Sequence, residues 1–249
     1  MKPFEIVAHR GISDRAPENT AEAFQRAVDL GANAIELDVR LTADKIPVVY
    51  HYYYLEENTS ASGPIFEYSW EQLKNVSVFH KADRTCIGRI STLQDILDSF
   101  AGKIGLEIEI KGPEPEAPEI IGALLNKYKS FWKTIEITSF EPALLLAIQK
   151  SCPGITADLL FPFAESWKKP DVLQYEALQL SRLAHARAVH LHPSQLSEPV
   201  VSFLRKNGIE IHVWNVNDIA SLEIINGFCI PRICTDNFEL AKFFRNANK

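Results

Sequence analysis

The chain has 249 residues, 46% hydrophobic and 23% charged, with a formal net charge of −6, which is ordinary globular composition for one or two domains. The two signs are interspersed without a basic patch, which argues against a nucleic-acid partner. No run of 18 apolar residues occurs, which argues against stable membrane insertion. The start, MKPFEIVAHRG, has no signal-type apolar core ahead of its first strand-like run, so the reading is a cytoplasmic protein. Cys86, Cys152, Cys229 and Cys234 lack C-x-x-C spacing and read as mostly buried thiols, not as a disulfide framework.

In chain order, Phe4 to Ala8 is a strand that runs into His9-Arg10-Gly11. A polar loop follows, in which Asn19 or Thr20 caps a helix closed by Gly31 at its C′ position. Ala34 to Val39 is the second strand, and it carries Glu36 and Asp38 two residues apart, so both carboxylates share a face. After a turn-like Thr42–Lys45 comes a second apolar run, Ile46 to Tyr50, ending on His51. The link from Asp38 to Pro47 is too short for a parallel crossover. The run must return antiparallel, and the hairpin brings His51 to the level of Asp38. Residues 52–90 lack a clear period and hold six aromatic residues between Tyr52 and Trp70; they read as a cap-like insertion whose rings pack among themselves.

Strand and helix then alternate. The sequence predicts a helix capped by Ser91 and running to about Phe100, then a strand from Ile104 to Ile110. A helix from about Glu116 to Tyr128 precedes a strand from Thr134 to Thr138, and a helix from Glu141 to Lys150 precedes Ile155 to Leu160. A helix over about 164–184 leads to the strand Ala188 to Leu191. Ser197 to Asn207 is helix, stopped by Gly208, and Ile209 to Trp214 is strand. Asn217 to Asn226 is helix, Arg232 to Thr235 strand, and Asn237 to about Asn246 the last helix. Apolar strands alternating with amphipathic helices imply βαβ units and a parallel sheet. Eight such units fit a closed (β/α)8 TIM barrel spanning residues 1–249 as one domain, with the insertion at about 52–90 after the second strand and its hairpin. No G-x-G-x-x-G follows the first strand, which weighs against a dinucleotide fold.

In such a barrel, chemistry sits at the C-terminal strand ends. Those ends carry His9 and Arg10; Glu36 and Asp38; Glu107, Glu109 and Lys111; Ser139 and Phe140; His190 and His192; His212 and Trp214; and Thr235 and Asp236. Two carboxylates roughly 5 Å apart repel by about 3 kcal/mol at an effective dielectric near 20. Three mutually close ones therefore cost on the order of 10 kcal/mol, comparable to a whole domain's stability. Protons, Arg10 and Lys111, or a divalent cation must offset this, and an all-oxygen set favours Mg²⁺ or Ca²⁺ over zinc. Taken singly, each signal has a plainer reading. Glu36 and Asp38 could be an ordinary charged strand end, Glu107-x-Glu109 a solvated edge, and His9 a structural histidine. His80 and His185 read as surface residues, and His190, His192 and His212 as wall residues without an assigned role.

Together, the residues resemble the glycerophosphodiester phosphodiesterases, barrel enzymes related in layout to phosphatidylinositol-specific phospholipases C. The resemblance runs almost end to end: His9-Arg10-Gly11, Pro17-Glu18-Asn19-Thr20, Glu36-Leu37-Asp38-Val39, Pro47-Val48-Val49 before His51, Glu109-Ile110-Lys111, Ser139-Phe140, His212-Val213-Trp214 and Thr235-Asp236. It implies metal-dependent hydrolysis of a glycerophosphodiester to sn-glycerol 3-phosphate and an alcohol. Glu36, Asp38 and Glu109 would hold one divalent cation, Mg²⁺ or Ca²⁺, and His9 and His51 would be the general acid and base. Arg10 and Lys111 would bind the phosphoryl oxygens, Glu18 would orient the first loop, and Trp214 would wall the glycerol side. The sequence departs from the family where an acid usually follows the second histidine, since here His51 precedes Tyr52-Tyr53-Tyr54. The usual WTVN reads Trp214-Asn215-Val216-Asn217, and Asn237-Phe238 stands where Arg-Pro is typical. These departures lie on the substrate side. A lysophospholipid or glycerophosphoinositol substrate, with the aromatic segment as a lipid-facing wall, is therefore one alternative. A barrel that binds phosphodiesters without turning them over is another.

Overall fold

The structure, a computed structural model, describes residues 4–248. Its strands are β1 (Glu5–Ala8), β2 (Ala34–Leu41), β3 (Pro47–Val49), β4 (Ser77–Phe79), β5 (Ile87–Arg89), β6 (Gly105–Ile110), β7 (Ile135–Ser139), β8 (Thr156–Leu160), β9 (Ala188–Leu191), β10 (Glu210–Val213) and β11 (Arg232–Thr235). Its helices are α1 (Ala21–Leu30), α2 (Trp70–Leu73), α3 (Leu93–Phe100), α4 (Ala117–Leu125), α5 (Pro142–Ser151), α6 (Pro170–Leu183), α7 (Glu198–Lys206), α8 (Ile219–Gly227) and α9 (Phe238–Ala247). Strands β1, β2 and β6 to β11 pair in parallel around a ring closed by β1 against β2. This is the closed eight-stranded barrel that the alternation predicts, on the eight predicted strands.

Local chemistry sets the boundaries. Thr20 caps α1 by accepting from the Ala23 N–H, and Gly31 ends it at φ 78°, a conformation that costs a residue without Cβ little. Thr92, not Ser91, caps α3, because its hydroxyl and the Asp95 carboxylate satisfy each other's backbone N–H groups. Helix α6 starts only at Pro170, inside the predicted 164–184, since proline suits a first helical position. Asp218 caps α8, and this leaves the Asn217 side chain for other partners.

Strand alternation divides the core. Ile6, Ile35, Leu37, Ile108, Ile137, Val189, Ile211 and Ile233 are buried outward against the helices. The inward positions hold Glu36, Asp38, Glu107, Glu109, Glu136, Asp158, His190 and His212, all of them buried. Branched apolar layers ordinarily fill a barrel of this type; here an inner apolar patch is small, made of Val7, Ala34 and Cys234. The barrel is thus held from outside by helix packing and carries charge along its axis.

The predicted hairpin is present. β3 runs antiparallel to β2 with Val39 opposite Val49. The turn is tied by Thr42 Oγ1, which accepts from the Ile46 N–H at 2.9 Å and donates to Asp44 at 2.6 Å. The Tyr50 N–H donates to the Asp38 carbonyl at 2.9 Å, so His51 stands one residue past the level of Asp38. Residues 52–90 pack on a core of their own, comprising Val48, Tyr50, Leu55, Ile65, Leu73, Val78 and Ile90, with β4 and β5 as an antiparallel pair. His80 is half-buried, not a surface residue: its Nε2 lies 2.8 Å from the Ser13 carbonyl and ties this segment to the first loop.

Candidate active site

After β1 the chain turns sharply, with Arg10 at φ 54° and Gly11 at φ 80°. A Cβ on Gly11 would come within 2.7 Å of Ala23 backbone, so only glycine lets the loop lie this close to α1. The turn aims the Arg10 N–H at Glu36 Oε2, 2.9 Å away. It also places His9 Nδ1 2.6 Å from Asp236 Oδ1 and His9 Nε2 3.9 Å from Glu36 Oε2. Asp236 is fixed in turn by Asn217, whose Nδ2 donates to Asp236 Oδ2 and whose Oδ1 accepts from the Asp236 N–H, both at 2.8 Å. Burial works to raise the Asp236 carboxyl, but the bond to His9 prevails and holds it at about 2.

Parallel pairing of β2 with β6 sets Asp38 beside Glu109 and Glu36 beside Glu107. Glu36, Asp38 and Glu109 each offer an oxygen within 4.8 Å of the others, and all three are buried. Arg10 Nε lies 3.2 Å from Asp38 Oδ2, and Lys111 Nζ lies 2.7 Å from Glu109 and 3.4 Å from Asp38. Asn19, at φ 57°, donates to Asp38 Oδ2 at 2.7 Å and accepts from its N–H at 3.2 Å. Burial, then Asp38 and Glu109, push the Glu36 carboxyl far up, and burial with Asp38 pushes Glu109 up to about 7. Burial would raise Asp38 as well, but Lys111 and Arg10 outweigh it and keep that carboxyl well below its usual range.

Two cations against three acids leave one negative charge that only a proton or an ion can balance. Asp38 Oδ1 is buried without a hydrogen-bond partner among the described residues. Three converging carboxylate oxygens at this separation fit one hard cation with ligand distances of about 2.0–2.6 Å. A second group that could hold an ion, Asp158 with His190 and His212, lies deeper in the barrel.

His51 takes its position from Arg40, a residue whose part sequence reasoning missed. Arg40 Nε donates to the His51 carbonyl at 2.8 Å, its Nη1 donates to the Gly112 carbonyl, and its guanidinium lies over the Tyr53 ring. The His51 ring packs edge-on to Tyr52, and its buried Nδ1 has no hydrogen-bond partner among the described residues. Burial, with Arg10 and Lys111 adding to it against Asp38, pushes His51 down to about 3, so the ring is neutral at physiological pH.

His9, Arg10, Glu36, His51, Glu109, Lys111 and Trp214 line one cavity of about 150 Å³. Asp38 lies behind them, and Glu18 stands behind Arg10. Glu18 pairs with Arg10 at 3.0 Å and Lys81 at 2.7 Å and accepts from the Tyr52 hydroxyl; together these outweigh its burial and keep its carboxyl below the usual range. A groove of about 380 Å³ adjoins the cavity through His51, Glu109, Lys111 and Phe140, and carries Tyr52, Tyr53 and Tyr54 on its wall. The cap aromatics therefore divide. Tyr52, Tyr68 and Trp70 pack against the cap core, as expected, while Tyr53 and Tyr54, with one side of Tyr52, line the groove. Sequence reasoning also missed the supporting work of Asn19, Asn217 and Asp236, although Asn19 and Asp236 stand within quoted motifs.

The profile of the Glycerophosphoryl diester phosphodiesterase family matches residues 9–240. The chain belongs to this family. It is a phosphoric diester hydrolase. A glycerophosphodiester phosphodiesterase of Caldanaerobacter subterraneus is 31% identical over 242 residues, covering 94% of each chain. The crystal structure of a glycerophosphodiester phosphodiesterase from Thermotoga maritima is 28% identical with a TM-score of 0.74, covering 96% of this chain and 97% of that one. One from Agrobacterium tumefaciens is 25% identical with a TM-score of 0.80, covering 98% of this chain and 99% of that one. The matched region holds both histidines and Glu36, Asp38 and Glu109.

Proposed function

We propose that this chain is a cytoplasmic, single-domain enzyme that hydrolyses glycerophosphodiesters to sn-glycerol 3-phosphate and an alcohol, with one divalent cation, Mg²⁺ or Ca²⁺, held by Glu36, Asp38 and Glu109. The observation that carries the reading is the convergence of those three buried acids with His9, His51, Arg10 and Lys111 on one cavity. When bound, the cation supplies Lewis-acid stabilisation of charge growing on the phosphoryl oxygens.

The chain's own residues do the rest. Arg10 and Lys111 hold the non-bridging oxygens and neutralise charge where it develops, in a site mostly shielded from water. His51, kept neutral by burial, accepts the proton of the attacking hydroxyl. His9, held in place by Asp236 at Nδ1, gives a proton to the leaving alkoxide. The attacking hydroxyl is that of water or of the neighbouring glycerol carbon, and the second route passes through a cyclic phosphate. Trp214, whose indole N–H donates to the Phe161 carbonyl at 3.2 Å, is a rigid wall for the glycerol. Among the described residues no helix is long and apolar enough to cross a membrane.

The test is an assay on glycerophosphocholine, glycerophosphoethanolamine and glycerophosphoinositol with and without chelator. Activity that chelation leaves intact, or that survives His9→Ala unchanged, defeats the mechanism. A lysophospholipid substrate is the second reading, supported by the groove whose Tyr53 and Tyr54 are 44% and 54% exposed. Faster turnover of a long-chain lysolipid than of the soluble diesters selects it.

A further inference from the structure

Below the catalytic cavity, β8, β9 and β10 bring together three side chains for which the phosphodiesterase chemistry has no use. His190 Nε2 lies 3.1 Å from His212 Nδ1 and 3.3 Å from Asp158 Oδ2, and His212 Nδ1 lies 3.7 Å from the same oxygen. All three residues are at most 2% exposed. The outward ring nitrogens each face a carboxylate: His190 Nδ1 is 3.4 Å from Glu107, and His212 Nε2 is 3.0 Å from Glu210.

That arrangement has a consequence for the protons. A neutral imidazole carries one N–H, and a carboxylate neighbour draws it to the nitrogen that faces it. His212 has Glu210 at its outward nitrogen, while His190 has a carboxylate at each nitrogen, so an ion at the inward position would shift the His190 N–H toward Glu107 and meet both inward lone pairs beside Asp158. Two ring nitrogens and one carboxylate oxygen then converge on one point. The separations match what one tetrahedral ion needs, since bonds of about 2.0–2.1 Å set ligand atoms about 3.3–3.4 Å apart. The outward carboxylates are the partners that metal-bound histidines ordinarily keep. Asp158 also accepts from Arg187, as ligating carboxylates commonly do from a neighbouring donor.

The surroundings favour a positive charge. Glu107, Glu136 and Asp158 are three buried acids facing two guanidinium groups, Arg187 and Arg232. An opening exists as well: a cavity of about 500 Å³ at the N-terminal end of the barrel is lined by His212, Glu210, Arg187 and Arg232, giving room for a solvent ligand.

We propose that Asp158, His190 and His212 form a transition-metal site, distinct from the Glu36/Asp38/Glu109 cluster, that takes Zn²⁺ or another imidazole-preferring divalent ion. Two imidazoles and one carboxylate suit such ions, whereas the all-oxygen cluster above suits a hard one. The ion ties three neighbouring strands together where the barrel interior lacks apolar packing.

The test titrates Zn²⁺ and Co²⁺ into the full-length protein in millimolar Mg²⁺. Expected are one tightly bound equivalent, X-ray absorption showing two imidazole ligands, and visible absorption typical of four-coordinate Co²⁺. Free metal at 100-fold over its Kd should raise Tm by roughly 5–10 °C. His190→Ala and His212→Gln should each abolish the imidazole signature and the Tm rise. A bound ion with an oxygen-only shell overturns the proposal, as does the absence of a bound equivalent in the unmodified protein. Both readouts stand on that protein alone, so a variant that fails to fold does not shelter the idea.

Discussion

His9 Nδ1 lies 2.6 Å from Asp236 Oδ1, a contact between residues at opposite ends of the chain made possible by β1 pairing with β11 in the closed ring. The carboxylate fixes the ring so that Nε2 points toward Glu36 and the cavity. Asp236→Asn keeps the shape and loses the charge. By analogy with other histidine–carboxylate pairs, kcat should fall about 10²–10⁴-fold while KM stays within a few-fold. Steady-state kinetics on a glycerophosphodiester checks this, and an unchanged kcat removes Asp236 from the mechanism.

Cation affinity should depend on pH through Glu109. Burial and Asp38 raise its carboxyl to about 7 in the ion-free protein, so below that pH a proton occupies an oxygen that the cation needs. The affinity therefore falls as the pH drops through 7, roughly tenfold per unit for one competing proton. Mg²⁺ or Ca²⁺ should bind about 50-fold more weakly at pH 5 than at pH 7 through Glu109 alone, and Glu36, itself raised, steepens the dependence. Isothermal titration at several pH values measures the slope; a flat profile rules out proton competition.

Arg40 should matter to the reaction without touching the phosphate. It satisfies the His51 and Gly112 carbonyls from a buried position. Arg40→Met leaves both acceptors unpaired, at about 1–3 kcal/mol each, and frees the His51 backbone. The expectation is a lower Tm together with a kcat reduced about tenfold, since a small misplacement of a proton-transfer group is costly. A stable variant with wild-type kcat refutes the positioning role.

Tyr52 follows His51 directly, and its hydroxyl is bonded to Glu18, which holds Arg10. Tyr52→Phe breaks that link while keeping the ring against His51. KM should rise roughly three- to tenfold with kcat within about twofold, because one hydrogen bond supporting the phosphate-binding arginine is worth about 1 kcal/mol. A kcat loss with unchanged KM would instead assign Tyr52 to the proton transfers.

The sequence by itself determined the barrel. Eight apolar runs spaced by helical segments admit little else, and each run appears as a strand because its outward positions pack against the helices. It also determined the hairpin, since the link from Asp38 to Pro47 could only turn back, and it supplied most residues of the candidate site from strand ends and His51 from the hairpin. What it left open are contacts across the ring. Asp236 reaches His9 over 227 positions, Asn19 turns from the helix cap toward Asp38, and Arg40 holds His51 by a backbone carbonyl. None of these has a local period or spacing to betray it. The histidines at positions 190 and 212 lacked a role in sequence for the same reason. Only the closure of β8, β9 and β10 into one wall turns their ring nitrogens toward each other and toward Asp158.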